Sequence, residues 1–403
     1  MDIHLFDPDI YLDGPPHAEL QRLRRDEPVS WQPLHQEGDG CWAVLRHADV
    51  VHVAREAKVF SAEEGGVVVE DLDPEALAMM RNMLLAMDPP RHQDYRRPLA
   101  PSFTRKVIGG MEQRIRAICQ EIMAVAREKG EVEFVHEVCA LLPSQVIGEL
   151  MGLPRDDWPK IHEMAERNTS GQDPDVSGYD VIDDSELRNA SIEMAMYAIQ
   201  FAAERRQMPV QEDLTSLILG SDFGGTQMTD IDFGSFFVQL VTAGNDTTKT
   251  MLSSGLAALI DHPDQLASLR ADPALLHGAV EEILRWANPL HYFRRTATAP
   301  AELHGVTIEP GQKVAMFYTS ANRDDAVFAD PMSFVLDRTP NDHVAFGFGT
   351  HFCLGSALAR LELKVMFEQL LDRLPDIRLA EPGEPAYRAA NFVSGYETMK
   401  VVF

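Results

Sequence analysis

Apolar and polar positions along this chain repeat mostly with the 3.6-residue period of an α-helix. Behind Gly355 the run SALARLELKVMFEQLLDRL sets Leu358, Leu361, Val365, Leu370 and Leu374 on one apolar stripe, which predicts a helix. From about 110 to 220 one helical segment follows another. They break at Leu153-Pro154 and across Thr169–Val181, where Gly, Pro, Asp and Ser cluster as in a loop. A longer helix is predicted from Thr229-Asp230-Ile231-Asp232, a capping-box-like start, to His262-Pro263, where proline stops it. Strand-like runs are short, Trp42 to Leu45 and Leu290 to Thr298, with a short helix expected from His47 to Glu56 that leads into Phe60-Ser61. The chain therefore reads as mainly α, an α+β minority confined to small sheets, without internal repeats or low-complexity tracts.

Composition adds limits rather than detail. The 403 residues are 45% hydrophobic and 25% charged, enough for a sizeable core in one large domain or two or three average ones. A formal charge of −27, from 36 basic and 63 acidic residues, argues against nucleic acid or an anionic membrane surface as partner. Cys41, Cys119, Cys139 and Cys353 lie far apart with no CxxC spacing, so neither a disulfide framework nor a zinc site is indicated. The start, MDIHLFDPDIYLDGPP, is acidic and proline-rich, with no signal-peptide pattern and no membrane anchor, and the expectation is a soluble, cytoplasmic protein.

Four stretches carry candidate chemistry. Cys353 stands among Gly347, Gly349 and Gly355, directly ahead of a predicted helix. Unpaired N–H groups and the dipole there favour an anionic sulfur, and the glycines let a backbone turn tightly or a flat ligand come close. A thiolate so held can be an axial ligand of haem iron. A buried structural thiol, or a nucleophile paired with His351, are the other readings of the residues alone. After Asp88-Pro89-Pro90, His92 and Arg96 fall four apart on one helical face, where two donors can hold a carboxylate. In the long helix, Ala243-Gly244-Asn245-Asp246-Thr247-Thr248 puts an acid and hydroxyls where they weaken helix stability, a mark of function. Glu282 and Arg285, three apart on the next helix, can pair.

The stretch Phe346-Gly347-Phe348-Gly349-Thr350-His351-Phe352-Cys353-Leu354-Gly355 matches, at every fixed position, F-G-x-G-x-H-x-C-x-G, the haem-binding signature of the cytochromes P450. With the D-P-P-x-H-x-x-x-R, A-G-x-D-T and E-x-x-R stretches in order, the chain resembles a soluble bacterial class I cytochrome P450 over essentially its whole length. The resemblance implies one domain over residues 1–403, with haem b between the Asp246–Thr247 helix and the Cys353 loop. It makes Cys353 the iron ligand and puts Phe346, Gly347, His351, Gly355, Ala243 and Gly244 around the cofactor. His92 and Arg96 would hold one propionate and Arg295 the other, with Arg294, on the opposite side of the strand, as the competing choice. Asp246 and Thr247 would deliver protons to the dioxygen site, and Gly244 would let the cofactor approach the backbone. Glu282 and Arg285 would hold the core together.

By the same resemblance Leu240, Leu290, Phe293 and Val393 would line an apolar substrate pocket, under a lid between about Ala165 and Gln207. Arg96, Arg97, Arg105, Lys106, Arg114 and Arg116, with Arg360 or Lys364, would receive a ferredoxin, itself reduced by an NAD(P)H-dependent ferredoxin reductase. The implied activity is hydroxylation of a hydrophobic small molecule, terpenoid or steroid-like, with O2 and two electrons. Alternatives are fatty-acid, alkyl or aromatic hydrocarbon substrates, a haem-thiolate enzyme that uses peroxide, or a non-catalytic haem binder.

Overall fold

The computed structural model describes residues 3–34, 39–170, 184–373, 376–380 and 385–403; residues 171–183, the centre of the expected loop and lid, lie outside the described residues. The helices that frame the site are α1 (Arg91–Leu99), α2 (Glu112–Lys129), α3 (Leu141–Met151), α4 (Trp158–Ser170), α5 (Asp184–Arg205), α6 (Asp230–Asp261), α7 (Leu276–Ala287) and α8 (Ser356–Arg373).

The longest, α6, runs 32 residues, about 48 Å at the helical rise. Its start follows from the capping box: Thr229 Oγ1 accepts from the Asp232 N–H at 3.1 Å, and Asp232 Oδ2 accepts from the Thr229 N–H at 3.1 Å. It stops at His262, where Pro263 opens the next helix. Helices α3, α4, α5, α7 and α8 pack around it, burying Phe233, Phe237, Val241, Met251, Leu252 and Leu256. A less buried stripe of Gln239, Leu240, Ala243, Gly244 and Thr247 interrupts this cover in mid-helix. Residues at that spacing share one face, so one side of α6 is left less covered than the rest.

Helix α8 departs from its pattern. Leu358, Leu361, Val365 and Leu370 are buried as expected, but Leu363, Met366, Phe367 and even Glu362 are buried too. The helix is enclosed by α2, α6 and α7 rather than lying on the surface with one wet face. Leu374 lies outside the described residues.

The largest sheet joins β1 (Val29–Pro33), β2 (Gly40–Val44), β3 (Phe60–Ser61), β5 (Tyr292–Ala297) and β6 (Lys313–Phe317) in the order β1-β2-β6-β5-β3; only β2 and β6 run parallel. A second sheet sets β10 (Lys400–Val402) between β4 (Glu131–Glu133) and β7 (Arg378–Leu379), and β8 (Ala386–Tyr387) pairs with β9 (Tyr396–Thr398). Among the described residues no helix is long and apolar enough to cross a membrane.

Candidate active site

The Cys353 loop is built by glycines in left-handed backbone. Gly347 has φ +68° and Gly349 φ +70°, where an L side chain is strained. A Cβ on Gly349 would in addition stand 2.8 Å from the Ala54 carbonyl oxygen. The Cys353 N–H donates to the Phe346 carbonyl at 2.9 Å, folding the loop back on itself. From α1, Arg96 clamps the same loop, donating from Nη2 to Phe352 O at 2.6 Å and more weakly from Nη1 to Thr350 O at 3.4 Å. Phe346 lies under the Arg360 guanidinium, 4.5 Å from the ring centre. Burial pushes the Cys353 thiol up, against the Gly355 N–H, Arg96 and Arg360, which favour the thiolate. The helix N-terminus by itself therefore does not make the anionic sulfur expected from sequence. Coordination to a metal cation deprotonates a thiol outright.

Next to this loop the fold collects buried nitrogen groups that lack a carboxylate partner among the described residues. The rings of His92 and His351 stand 4.5 Å apart, and among the described residues no nitrogen of either has a hydrogen-bond partner. Burial, then Arg96 and Arg295, lower the pKa of His92 to about 4. Burial, then Arg295, His92 and Arg96, lower that of His351 to about 2. Arg295 is buried and donates to the Arg294 carbonyl at 2.8 Å, and among the described residues no carboxylate forms an ion pair with it. Buried donors in this state call for an acceptor that brings its own negative charge. The two propionates of haem meet that need, so the residues present fit the group. Arg294 points to the other side of β5, where it reaches Asp71 Oδ1 at 3.1 Å and the carbonyls of Val68, Val69 and Glu70. The choice between the two arginines thus falls on Arg295 for the donor cluster.

On its less covered side, α6 presents Leu240, Ala243 and Thr247. Thr247 Oγ1 donates to the Ala243 carbonyl at 2.8 Å, the backbone contact that loosens a helix. Gly244 also stands against α3, where a Cβ would come within 2.9 Å of Ile147 Cδ1.

Asp246, the next residue to Thr247, turns away into the protein. It is 4% exposed and lies 3.1 Å from Lys249 Nζ and 3.2 Å from Arg388 Nη1. Burial would raise its pKa; Arg388 and then Lys249 outweigh burial and bring it to about 2. Neither cation was singled out from sequence. Lys249, three residues on in a core helix, could have been read as a partner. Arg388, in an unremarkable C-terminal stretch, carries no such signal.

Glu282 and Arg285 are both fully buried. Arg285 donates to Glu282 from Nε and Nη2 at 2.8 and 2.7 Å, and to the carbonyls of Asn322, Pro331 and Ser333. Glu282 also accepts from the Val335 N–H at 2.9 Å and from Arg338 Nε at 3.1 Å. Arg338 is the second cation that a lone buried carboxylate of this kind uses, and sequence spacing alone did not assign it.

At the mouth, Leu290 and Val393 face one another in an isolated β-bridge. Phe293 lies 5.8 Å from Phe392 and 6.2 Å from Tyr318, ring centre to ring centre. Of the basic run expected to meet a partner, Arg96 is turned inward. Arg97, Arg114, Arg116, Arg360 and Lys364 pair with Asp94, Glu149, Glu112, Glu281 and Glu368 respectively. Arg105 and Lys106 remain exposed.

The sequence from 182 to 375 matches the family model described as Cytochrome P450. The chain is 36% identical to the Steroid C26-monooxygenase of Mycolicibacterium smegmatis, across 99% of this chain and 93% of the relative. It is 35% identical to the Methyl-branched lipid omega-hydroxylase of Mycobacterium tuberculosis, across 94% of this chain and 89% of the relative. Among solved structures, a Mycobacterium marinum cytochrome P450 in complex with pseudoionone superposes with a TM-score of 0.89 at 38% identity, covering 96% of this chain and 94% of that one. The chain belongs to the cytochrome P450 family. It is a monooxygenase, an oxidoreductase that works with haem b and dioxygen.

Proposed function

We propose that this enzyme hydroxylates the end of a branched apolar chain carried by a steroid, a terpenoid or a methyl-branched lipid. The observation that carries the reading is the near-full-length similarity to a steroid C26-monooxygenase and a methyl-branched lipid omega-hydroxylase. Both activities address the end of an aliphatic chain. As the apolar lining of the substrate pocket, Leu240, Leu290, Phe293 and Val393 would hold such a chain by burial and exclude water; Leu290 and Val393 are paired in a β-bridge.

Bound haem supplies the redox chemistry that activates dioxygen; the protein binds, orients and handles protons. Cys353 offers its sulfur to the iron, and Phe346, Gly347 and Gly355 keep that face open to a flat ring. His92, Arg295 and His351 hold the propionates, with Arg96 bracing the loop beside them. Thr247 presents its hydroxyl in the distal space, where it holds a proton close to the oxygen site. Asp246 is the acid that exchanges protons with it. That acid–alcohol pair favours use of dioxygen over added peroxide.

Electrons come, in this reading, from a ferredoxin and its NAD(P)H-dependent reductase. Arg105 and Lys106 carry exposed positive charge beside a groove of about 370 Å³ lined by Ile108, His277, Leu361 and Lys364. Reversing both charges is expected to slow ferredoxin-driven reduction, most at low salt. A rate unchanged at every ionic strength removes this surface from docking.

An optical titration of the ferric enzyme tests the substrate class. A steroid, a methyl-branched alkanoate, a monoterpene, a linear fatty acid and an aromatic hydrocarbon are compared for the shift of the Soret band to high spin. Saturation with the branched compounds, followed by a product oxidised at the chain end, is expected. A tight response confined to the linear acid or the aromatic overturns the reading.

A further inference from the structure

Behind α6, six charged side chains close into a ring. Asp246 Oδ1 lies 3.1 Å from Lys249 Nζ, which lies 3.2 Å from Glu166 Oε1. Glu166 Oε2 lies 3.1 Å from His136 Nδ1, and His136 Nε2 is 3.7 Å from Glu397 Oε1. Glu397 Oε2 lies 3.1 Å from Arg388 Nε, and Arg388 Nη1 closes the ring 3.2 Å from Asp246 Oδ2. The members come from α6, from α4, from the π-helical turn Val135–Cys139, from β9 and from the residue that follows β8. With His136 protonated, the charges alternate in sign all the way round. Asp246, Lys249 and Arg388 are withdrawn from solvent, and the ring meets water at His136, whose side chain is 40% exposed.

We propose that His136 is a positioning residue for the Asp246 carboxylate, acting through the two cations with which it shares Glu166 and Glu397. His136 and Lys249 both serve Glu166; His136 and Arg388 both serve Glu397. While the imidazolium is in place, each glutamate is neutralised from two sides, and Lys249 and Arg388 stay drawn toward Asp246. Without it, Glu166 pulls harder on Lys249, and Glu397 on Arg388. Asp246 then loses both the field that keeps it ionised and the contacts that aim it.

The surroundings of His136 support the charged form. Glu166 from α4, then Glu397 from β9, raise its pKa to about 10, against burial and the Lys249 charge on α6. Glu133, from β4, adds to this and accepts from the His136 backbone N–H at 2.7 Å. Coupling round a ring is reciprocal. Neutralising Asp246 leaves Lys249 and Arg388 to Glu166 and Glu397, and both glutamates then hold the imidazolium less.

The inference rests on Asp246 as the proton-handling acid for its consequence in turnover, but not for its first test. In histidine-labelled holoenzyme, the His136 imidazole resonances, assigned by loss in His136→Gln, are titrated in the parent and in Asp246→Asn. A fall of about half a pH unit or more in the His136 midpoint is expected, a roughly threefold change in proton affinity. An unmoved midpoint overturns the proposal without reference to catalysis. In turnover, His136→Gln is expected to lower the yield of product per electron about two- to fivefold and enlarge the solvent deuterium isotope effect. His136→Lys, which keeps the cation, restores both. Failure of lysine to rescue overturns a role through charge. If the midpoint moves but Asp246→Asn turns over like the parent, the positioning stands and the proton role of Asp246 falls.

Discussion

Asp246 and Arg388 stand 142 residues apart in the chain and 3.2 Å apart in the fold, both withdrawn from water. Arg388 Nη2 also reaches the other carboxylate oxygen, at 3.4 Å. This contact fastens the C-terminal segment to the middle of α6.

Removing Arg388 leaves the buried Asp246 carboxylate only partly compensated, with Lys249 still beside it. Arg388→Gln is expected to cost about 3–5 kcal/mol at neutral pH, read by urea unfolding. The acid side follows from the folded pKa of Asp246, about 2 against an ordinary 3.8. A depressed carboxyl contributes stability above its unfolded pKa and loses it as pH falls from about 4 to about 2. In Arg388→Gln the burial penalty is less opposed, the folded pKa moves up toward the ordinary value, and this acid loss should shrink.

Glu362 on α8 gives the opposite sign. It is 2% exposed, one carboxyl oxygen has no partner, and burial pushes its pKa up to about 8. A raised carboxyl keeps its proton in the fold after the unfolded chain has lost it. Its stability contribution therefore falls as pH rises from about 4.5 to about 8. Glu362→Gln should remove that slope and raise stability at pH 8 by about 1 kcal/mol or more, with little change at pH 4.5. Equal changes at both pH values would contradict it.

Glu282 is the common acceptor of Arg285, Arg338 and the Val335 N–H. Glu282→Gln keeps the shape and strands two buried guanidinium groups. A loss of about 3–5 kcal/mol is expected, with expression mostly as haem-free protein. A haem content equal to the parent would show that Arg285 and Arg338 find other acceptors.

The buried Arg295 and the buried ring nitrogens of His351 are the groups proposed above to hold a haem carboxylate. A charge-assisted hydrogen bond contributes about 1.5–3 kcal/mol. Arg295→Leu should therefore release haem roughly ten- to a hundredfold faster, read by transfer to an apo haem acceptor. Arg294→Leu, which instead breaks the contact with Asp71, should destabilise β5 with far less effect on haem release.

Thr247→Ala removes the hydroxyl that donates to the Ala243 carbonyl and leaves Asp246 and its cations in place. NAD(P)H consumption should persist while product falls severalfold and hydrogen peroxide rises. Unchanged coupling of electrons to product would take Thr247 out of proton delivery.

Much of this was legible in the order of residues, because local effects decide it. The capping box at Thr229 and the stop at Pro263 bound α6, and the glycines about Cys353 mark the turns they must make. His92 and Arg96 share a helical face by spacing alone. Their fates then diverge: His92 joins His351 and Arg295, while Arg96 spends its donors on the carbonyls of the Cys353 loop. The burial of Glu362, Leu363 and Phe367 on α8, the contact of Gly244 with α3 and the neutralisation of most of the basic run depend on which elements come to lie alongside. So does the ring through Asp246. Charge and donor type are properties of a residue, and the sequence by itself determined those. Desolvation and partnership are properties of a place, and only the tertiary structure decided that Asp246 would meet Arg388, since electrostatic contacts between distant segments leave no period in the chain.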